Sequence, residues 1–165
     1  MPALRDETKI RVTGYKGKYS AILDDKNRLT LPAPLRKTPP RAKSRSKKTQ
    51  DRFVLTRTLD GGLALYPVSE WILIEAKLSE GPFTHPDTRY FSRILYASAI
   101  EVVLDSQGRI PVSKPHQEMA GIARDVTVTG HGHFIEIWNP KRYKQYVAGY
   151  GKSWEDAARD LNPGL

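Results

Sequence analysis

Cysteine is absent from the 165-residue chain, which removes disulfides, thiol chemistry and Cys-ligated metals together. Long apolar runs are absent too. No stretch of about 18 apolar residues occurs, so neither a membrane-spanning helix nor a membrane partner is expected. The opening residues, Met1-Pro-Ala-Leu-Arg-Asp-Glu7, lack an apolar core, and no secretory signal is expected. A phosphate loop ending in Gly-Lys-Ser/Thr is missing, as is a Gly-x-Ser-x-Gly nucleophile turn. These absences point to a cytoplasmic protein that is not an enzyme and takes no cofactor or metal.

Acidic residues are scarce in one region. Residues 1–59 hold 16 Lys and Arg against 5 Asp and Glu, a balance of +11, whereas residues 60–165 balance at −2. The whole surplus behind the net charge of +9 therefore lies in the first third. A concentrated positive field attracts polyanions, nucleic acid foremost. The rest of the composition is globular, 39% hydrophobic and 27% charged, enough for one ordinary domain or two very small ones.

What is present is a repeat. At an offset of 81 the pairs Tyr15/Tyr96, Leu23/Leu104, Asp24/Asp105, Arg28/Arg109, Leu29/Ile110, Leu31/Val112 and Pro34/Pro115 match. The following block matches at an offset of 72, with Val54/Val126, Leu65/Ile137, Tyr66/Trp138 and Trp71/Tyr143. The first copy thus carries about nine extra residues within 38–50, a Pro-opened basic stretch that reads as a loop insertion.

Each copy has the same grammar. An apolar strand (19–23; 100–104) ends in an Asp-led turn, and a second short strand follows (28–31; 109–112). Asn27 and Gly108 hold equivalent turn positions, where a left-handed backbone is tolerated. Third and fourth strands (53–57 and 63–66; 125–129 and 134–138) flank Gly-containing turns. A helix closes each copy, through Trp71, Ile74 and Leu78 in the first, and behind Asn139-Pro140 in the second. Another helix is expected over 85–98, and a capped helix over 153–161. A half of about 45 residues cannot bury enough area alone, so the two are expected to share one core. The expected organisation is an extension at 1–14, a first half at 15–80, a connecting helix at 81–99, a second half at 100–147 and a helical tail at 148–165.

The strings Leu23-Asp-Asp-Lys-Asn-Arg-Leu-Thr-Leu-Pro32 and Leu104-Asp-Ser-Gln-Gly-Arg-Ile-Pro-Val112 resemble the signature turn of the MraZ family. Leu65-Tyr-Pro-Val-Ser-Glu-Trp71 and Phe134-Ile-Glu-Ile-Trp138 resemble that family's other recurrent strings. The resemblance implies an α+β, β-rich fold, in which two AbrB-like swapped-hairpin (SpoVT/AbrB) halves form one pseudo-twofold β-barrel with flanking helices. It implies a sequence-specific, nucleoid-associated transcriptional regulator. Such a protein assembles as a ring-like homo-oligomer on repeated double-stranded DNA boxes upstream of its own division and cell-wall operon, which it represses. It also implies DNA contacts eight and nine positions beyond the turn arginine. Those are the basic Arg36 and Lys37 after Arg28, but Gln117 and Glu118 after Arg109, so unequal contact by the two halves is expected. Asn27 in place of Gly and Ser113 in place of Pro are further departures.

The chemistry of the turn agrees. An Asp carboxylate can accept bonds from turn amides and from the Arg, fixing the guanidinium fork. An oriented Arg can address guanine O6 and N7 or clamp a phosphate. Arg28 and Arg109 are therefore candidate DNA contacts, oriented by Asp24 and Asp105. Lys26 is a candidate phosphate contact and Gln107 a candidate adenine reader. The same Asp–Arg pair would also serve simply to pin a hairpin. The basic loop 38–50 reads equally well as a source of phosphate contacts or as a solvated segment. Other readings are an antitoxin or transition-state regulator on the same scaffold, and an RNA binder. Against RNA, no aromatic stacking motif occurs. Asp24 and Asp25 are adjacent and so point to different sides, and His131 and His133 lack a third metal ligand.

Overall fold

A computed structural model describes residues 14–37 and 51–161. The expectations for the leader, apart from Gly14, and for the basic insertion at 38–50 lie outside the described residues. The first half contributes β1 (Lys18–Ile22), β2 (Arg28–Thr30), β3 (Arg52–Arg57), β4 (Leu63–Pro67) and α1 (Val68–Ser79). After α2 (Pro86–Ser98) come β5 (Ile100–Val103), β6 (Arg109–Pro111), α3 (Lys114–Ala120), β7 (Asp125–His131), β8 (Phe134–Trp138), α4 (Pro140–Ala148) and α5 (Trp154–Leu161).

The strands do not pair within their own copies alone. The antiparallel six-stranded sheet runs β1-β7-β8-β4-β3-β5, so the first strand of each half lies on the third strand of the other. Exchanging the halves reverses this order onto itself, which is the pseudo-twofold. Its axis passes between β4 and β8, where Ala64 faces Glu136. The second strands leave the sheet and pair with each other, Leu29 opposite Ile110. This is the expected swapped-hairpin arrangement, α+β overall. β1 and β5 are the edges of the sheet, and closure into a barrel is not among the described pairings.

Apolar residues at every second position build the core side of the strands, while β3 and β4 are buried on their other face too, through Val54, Thr56 and Ala64. In β3 and β4, Phe53, Leu55, Leu63 and Leu65 are fully buried, and Ile135, Ile137, Val126 and Val128 do the same in the second half. These side chains, with Leu29, Leu31, Ile110 and Val112, form one cluster drawn from both copies. Each such burial contributes about 1.5–3 kcal/mol, and neither half could bury them alone. Gly130 has a packing reason of its own. A Cβ there would lie 2.2 Å from the Lys16 backbone nitrogen, where the segment leading into β1 crosses β7.

The helices begin where their caps predict. Asn139 Oδ1 accepts from the Lys141 and Arg142 amides with Pro140 in the first turn, and Ser153 Oγ accepts from the Asp156 amide. His85 caps α2 rather than starting it, its Nδ1 accepting from the Asp87 amide. One element has no counterpart in the sequence reading. A helix, α3, follows β6, and a single 3-10 turn (Ala33–Leu35) stands at the equivalent place after β2.

Candidate nucleic-acid interface

Both Asp-led turns close in the same way. Asp24 Oδ1 accepts from the Lys26 and Arg28 amides, each at 2.9 Å, and Oδ2 accepts from Arg28 Nε at 2.8 Å. Asp105 repeats the pattern with Gln107 and Arg109 at 2.9, 2.9 and 2.8 Å. A backbone bond closes each loop, from Asn27 N to Asp24 O and from Gly108 N to Asp105 O, both 2.9 Å. The residue at that point must turn left-handed, with φ at 57° for Asn27 and 77° for Gly108. Asn and Gly are the types that accept this most readily. The Arg28 backbone amide, then its guanidinium and the Lys26 amide, hold the Asp24 carboxyl below its ordinary value of 3.8, against the opposing effect of burial. Asp105 is lowered in the same way by the Arg109 amide first.

The turns are joined by the β2–β6 ribbon. Arg28 lies opposite Pro111 and Arg109 opposite Thr30, so the two arginines are diagonal neighbours on one face. Leu29 and Ile110, fully buried, anchor the other face in the core. Diagonal positions on such a ladder are about 7–8 Å apart. Each arginine is tied through Nε, and the rest of its fork projects from a half-buried side chain. Lys26 and Gln107 are exposed at the turn tips.

The remaining candidates separate. Arg36 is half-buried, with Nε donating to Leu31 O at 2.7 Å, while Lys37 is exposed. The equivalents of these two also diverge: Gln117 is buried and donates to Val112 O at 2.7 Å, and Glu118 is exposed. His131 stacks on Phe134 at 4.6 Å, and no group of three metal-ligating side chains occurs among the described residues. No described helix is long and apolar enough to cross a membrane.

A family model described as "MraZ protein, putative antitoxin-like" matches residues 15–94 and again 95–162. The chain belongs to the MraZ family. Curated members include the protein named transcriptional regulator MraZ of Syntrophomonas wolfei, 38% identical over 89% of this chain and 96% of the relative. The same name is carried by relatives from Heliobacterium modesticaldum, 37% identical over 89% of this chain and 96% of the relative, and Lactobacillus delbrueckii, 36% identical over 90% and 96%. The twofold match of the MraZ model coincides with the repeat of the Asp–Arg turn.

The sequence alone did not reveal how the halves interlock at these turns. Leu31 N donates to Gly108 O at 2.8 Å and Val112 N to Asn27 O at 2.8 Å, so each turn is gripped by the other half. The recurrence of the Asp-x-x-x-Arg turn at an offset of 81 was its one available signal.

Proposed function

We propose that this chain is a transcriptional regulator that binds duplex DNA through the β2–β6 ribbon. Arg28 and Arg109 are the principal contacts, and Asp24 and Asp105 hold their forks. The observation that carries this reading is the placement of both guanidinium groups on one outward face of a two-stranded ribbon whose other face is locked into the core. A major groove admits such a ribbon, and a held Arg fork matches the guanine O6/N7 edge. Lys26 and Lys37 add phosphate contacts, and Gln107 reaches a base edge at the tip. Membership of a family whose curated members are transcriptional regulators supports the same reading.

The target is repeated boxes upstream of the chain's own division and cell-wall operon, which it represses as a ring-like oligomer in the cytoplasm, on the nucleoid. Several ribbons meeting evenly spaced boxes raise affinity through effective concentration without new contacts.

Gel shifts with duplex from the region upstream of the gene test this directly. Arg28→Ala and Arg109→Ala should each weaken binding by about 10–100-fold with little change in Tm. Loss of Tm without selective loss of binding would leave the Asp–Arg pairs as hairpin pins only. RNA of the same sequence should compete poorly.

A further inference from the structure

We infer that Arg36 serves the turn of the opposite half, pairing functionally with Arg109 rather than with Arg28, so that the two ends of the ribbon read unequal DNA. A Cβ placed on Gly108 would lie 2.5 Å from Arg36 Nε, 2.7 Å from Cζ and 2.8 Å from Cδ. The guanidinium of Arg36 therefore rests directly on the second-half turn, in the space that only glycine leaves open. Two bonds fix it there: Arg36 Nε to Leu31 O at 2.7 Å, and Leu31 N to Gly108 O at 2.8 Å.

The other end differs in charge. Gln117 stands where Arg36 does and makes the same bond, Nε2 to Val112 O at 2.7 Å, but its amide is neutral and the side chain is buried. The turn gripped by Val112 carries Asn27 where the other carries Gly108, both with positive φ. Only the Arg36 end thus sets a guanidinium against a glycine of the other half's turn.

Counting along the chain places the basic pair Arg36-Lys37 beside Arg28; the swap places Arg36 beside Arg109. The Asp105 turn then offers two guanidinium forks, one from each half. The Asp24 turn offers one, with the exposed side chains of Asp25 and Lys26. Two adjacent forks suit two adjacent oxygen-rich acceptors on duplex DNA, successive guanine edges or a guanine and its flanking phosphate. Each recognised box is accordingly polar, with its acceptor-rich end under Arg109.

This inference rests on the DNA-binding reading above. Its test is a pair of double-mutant cycles in fluorescence anisotropy at fixed salt, on the full chain and the upstream duplex. Arg36→Gln should weaken binding on the order of tenfold. Combined with Arg109→Ala, the loss should fall short of the product of the single losses; combined with Arg28→Ala, the losses should multiply. Coupling to Arg28 instead, multiplication in both cycles, or no loss from Arg36→Gln would overturn the assignment. If Arg28→Ala and Arg109→Ala both bind as wild type, the DNA reading itself fails.

Gly108→Ala supplies a second route should Arg36→Gln melt early, since the added methyl displaces the fork while keeping its charge. It should weaken binding more in the wild-type background than in Arg36→Lys, and equal losses would also overturn the assignment. Replacing guanine by 7-deazaguanine, and phosphate by methylphosphonate, at each end of the box separates base edge from backbone as the acceptor.

Discussion

At the scale of the residue, the Asp–Arg turn is a local device whose strength depends on proton occupancy. The native carboxyls of Asp24 and Asp105 are lowered below 3.8, chiefly by the amides of Arg28 and Arg109. Aspartates of an unfolded chain titrate at about 3.9. A depressed native value means the turns contribute their stability above the unfolded value and lose it as pH falls through the native one. Carboxyl-carbon NMR titration should therefore find both groups titrating below the aspartates of the unfolded chain. Asp24→Asn with Asp105→Asn should flatten the acid limb of Tm against pH, and leave the slope near neutrality unchanged. A double variant with an unaltered acid limb would detach the turns from acid stability. These bonds were legible in advance, because an Asp four residues before an Arg across a tight turn has few other partners. The location of Arg36 was not. Spacing along one chain reports the near half, and the exchange of strands delivers the side chain to the far one.

At the scale of the element, strands and capped helices were readable because period-two alternation and cap residues are local signals. The partners of those strands were not, since alternation says which face is buried and nothing about which strand lies alongside. Helix α3 escaped for a different reason. It has seven residues, too few to display a helical period, and opens on Lys114-Pro115 directly after a strand. Its anchor is a polar one. His116, buried, has Nε2 bonded to Ser98 O at 2.7 Å and Nδ1 bonded to Ser113 Oγ at 2.6 Å. Ser98 Oγ in turn meets Thr56 Oγ1 at 2.9 Å, so α3, the end of α2 and β3 are tied together. His116→Ala leaves the Ser98 carbonyl without this partner in a buried place, which costs about 1–3 kcal/mol. Urea unfolding should register that loss as a lower midpoint at constant slope. Affinity for the upstream duplex, measured well below the midpoint, should stay within about twofold, because no bond of this network reaches β2 or β6. A selective loss of binding would instead make α3 part of the interface.

At the scale of the whole molecule, the shared core leaves one kind of surface unexplained by folding. Helix α5 has no buried residue, and Trp154 and Leu161 are 81% and 85% exposed. With Ala157 and Ala158 they fall at helical spacing on one side, opposite Asp156 and Arg159. Tyr90 and Ile94 on α2, and Val147 and Tyr150 at the end of α4, are exposed as well. Apolar side chains grouped this way on helices outside the sheet are what an interface between copies requires. Trp154→Glu with Leu161→Glu should therefore reduce the mass found by light scattering, while circular dichroism keeps the sheet signal. DNA binding then divides into two measurable parts. Affinity for a single box, set by one ribbon, should be unchanged, whereas affinity for a duplex carrying several boxes should fall by about 10²-fold or more as avidity is lost. A variant of unchanged mass would count against self-association through α5. One of reduced mass that still preferred multiple boxes would remove avidity from the account of how this chain finds its target.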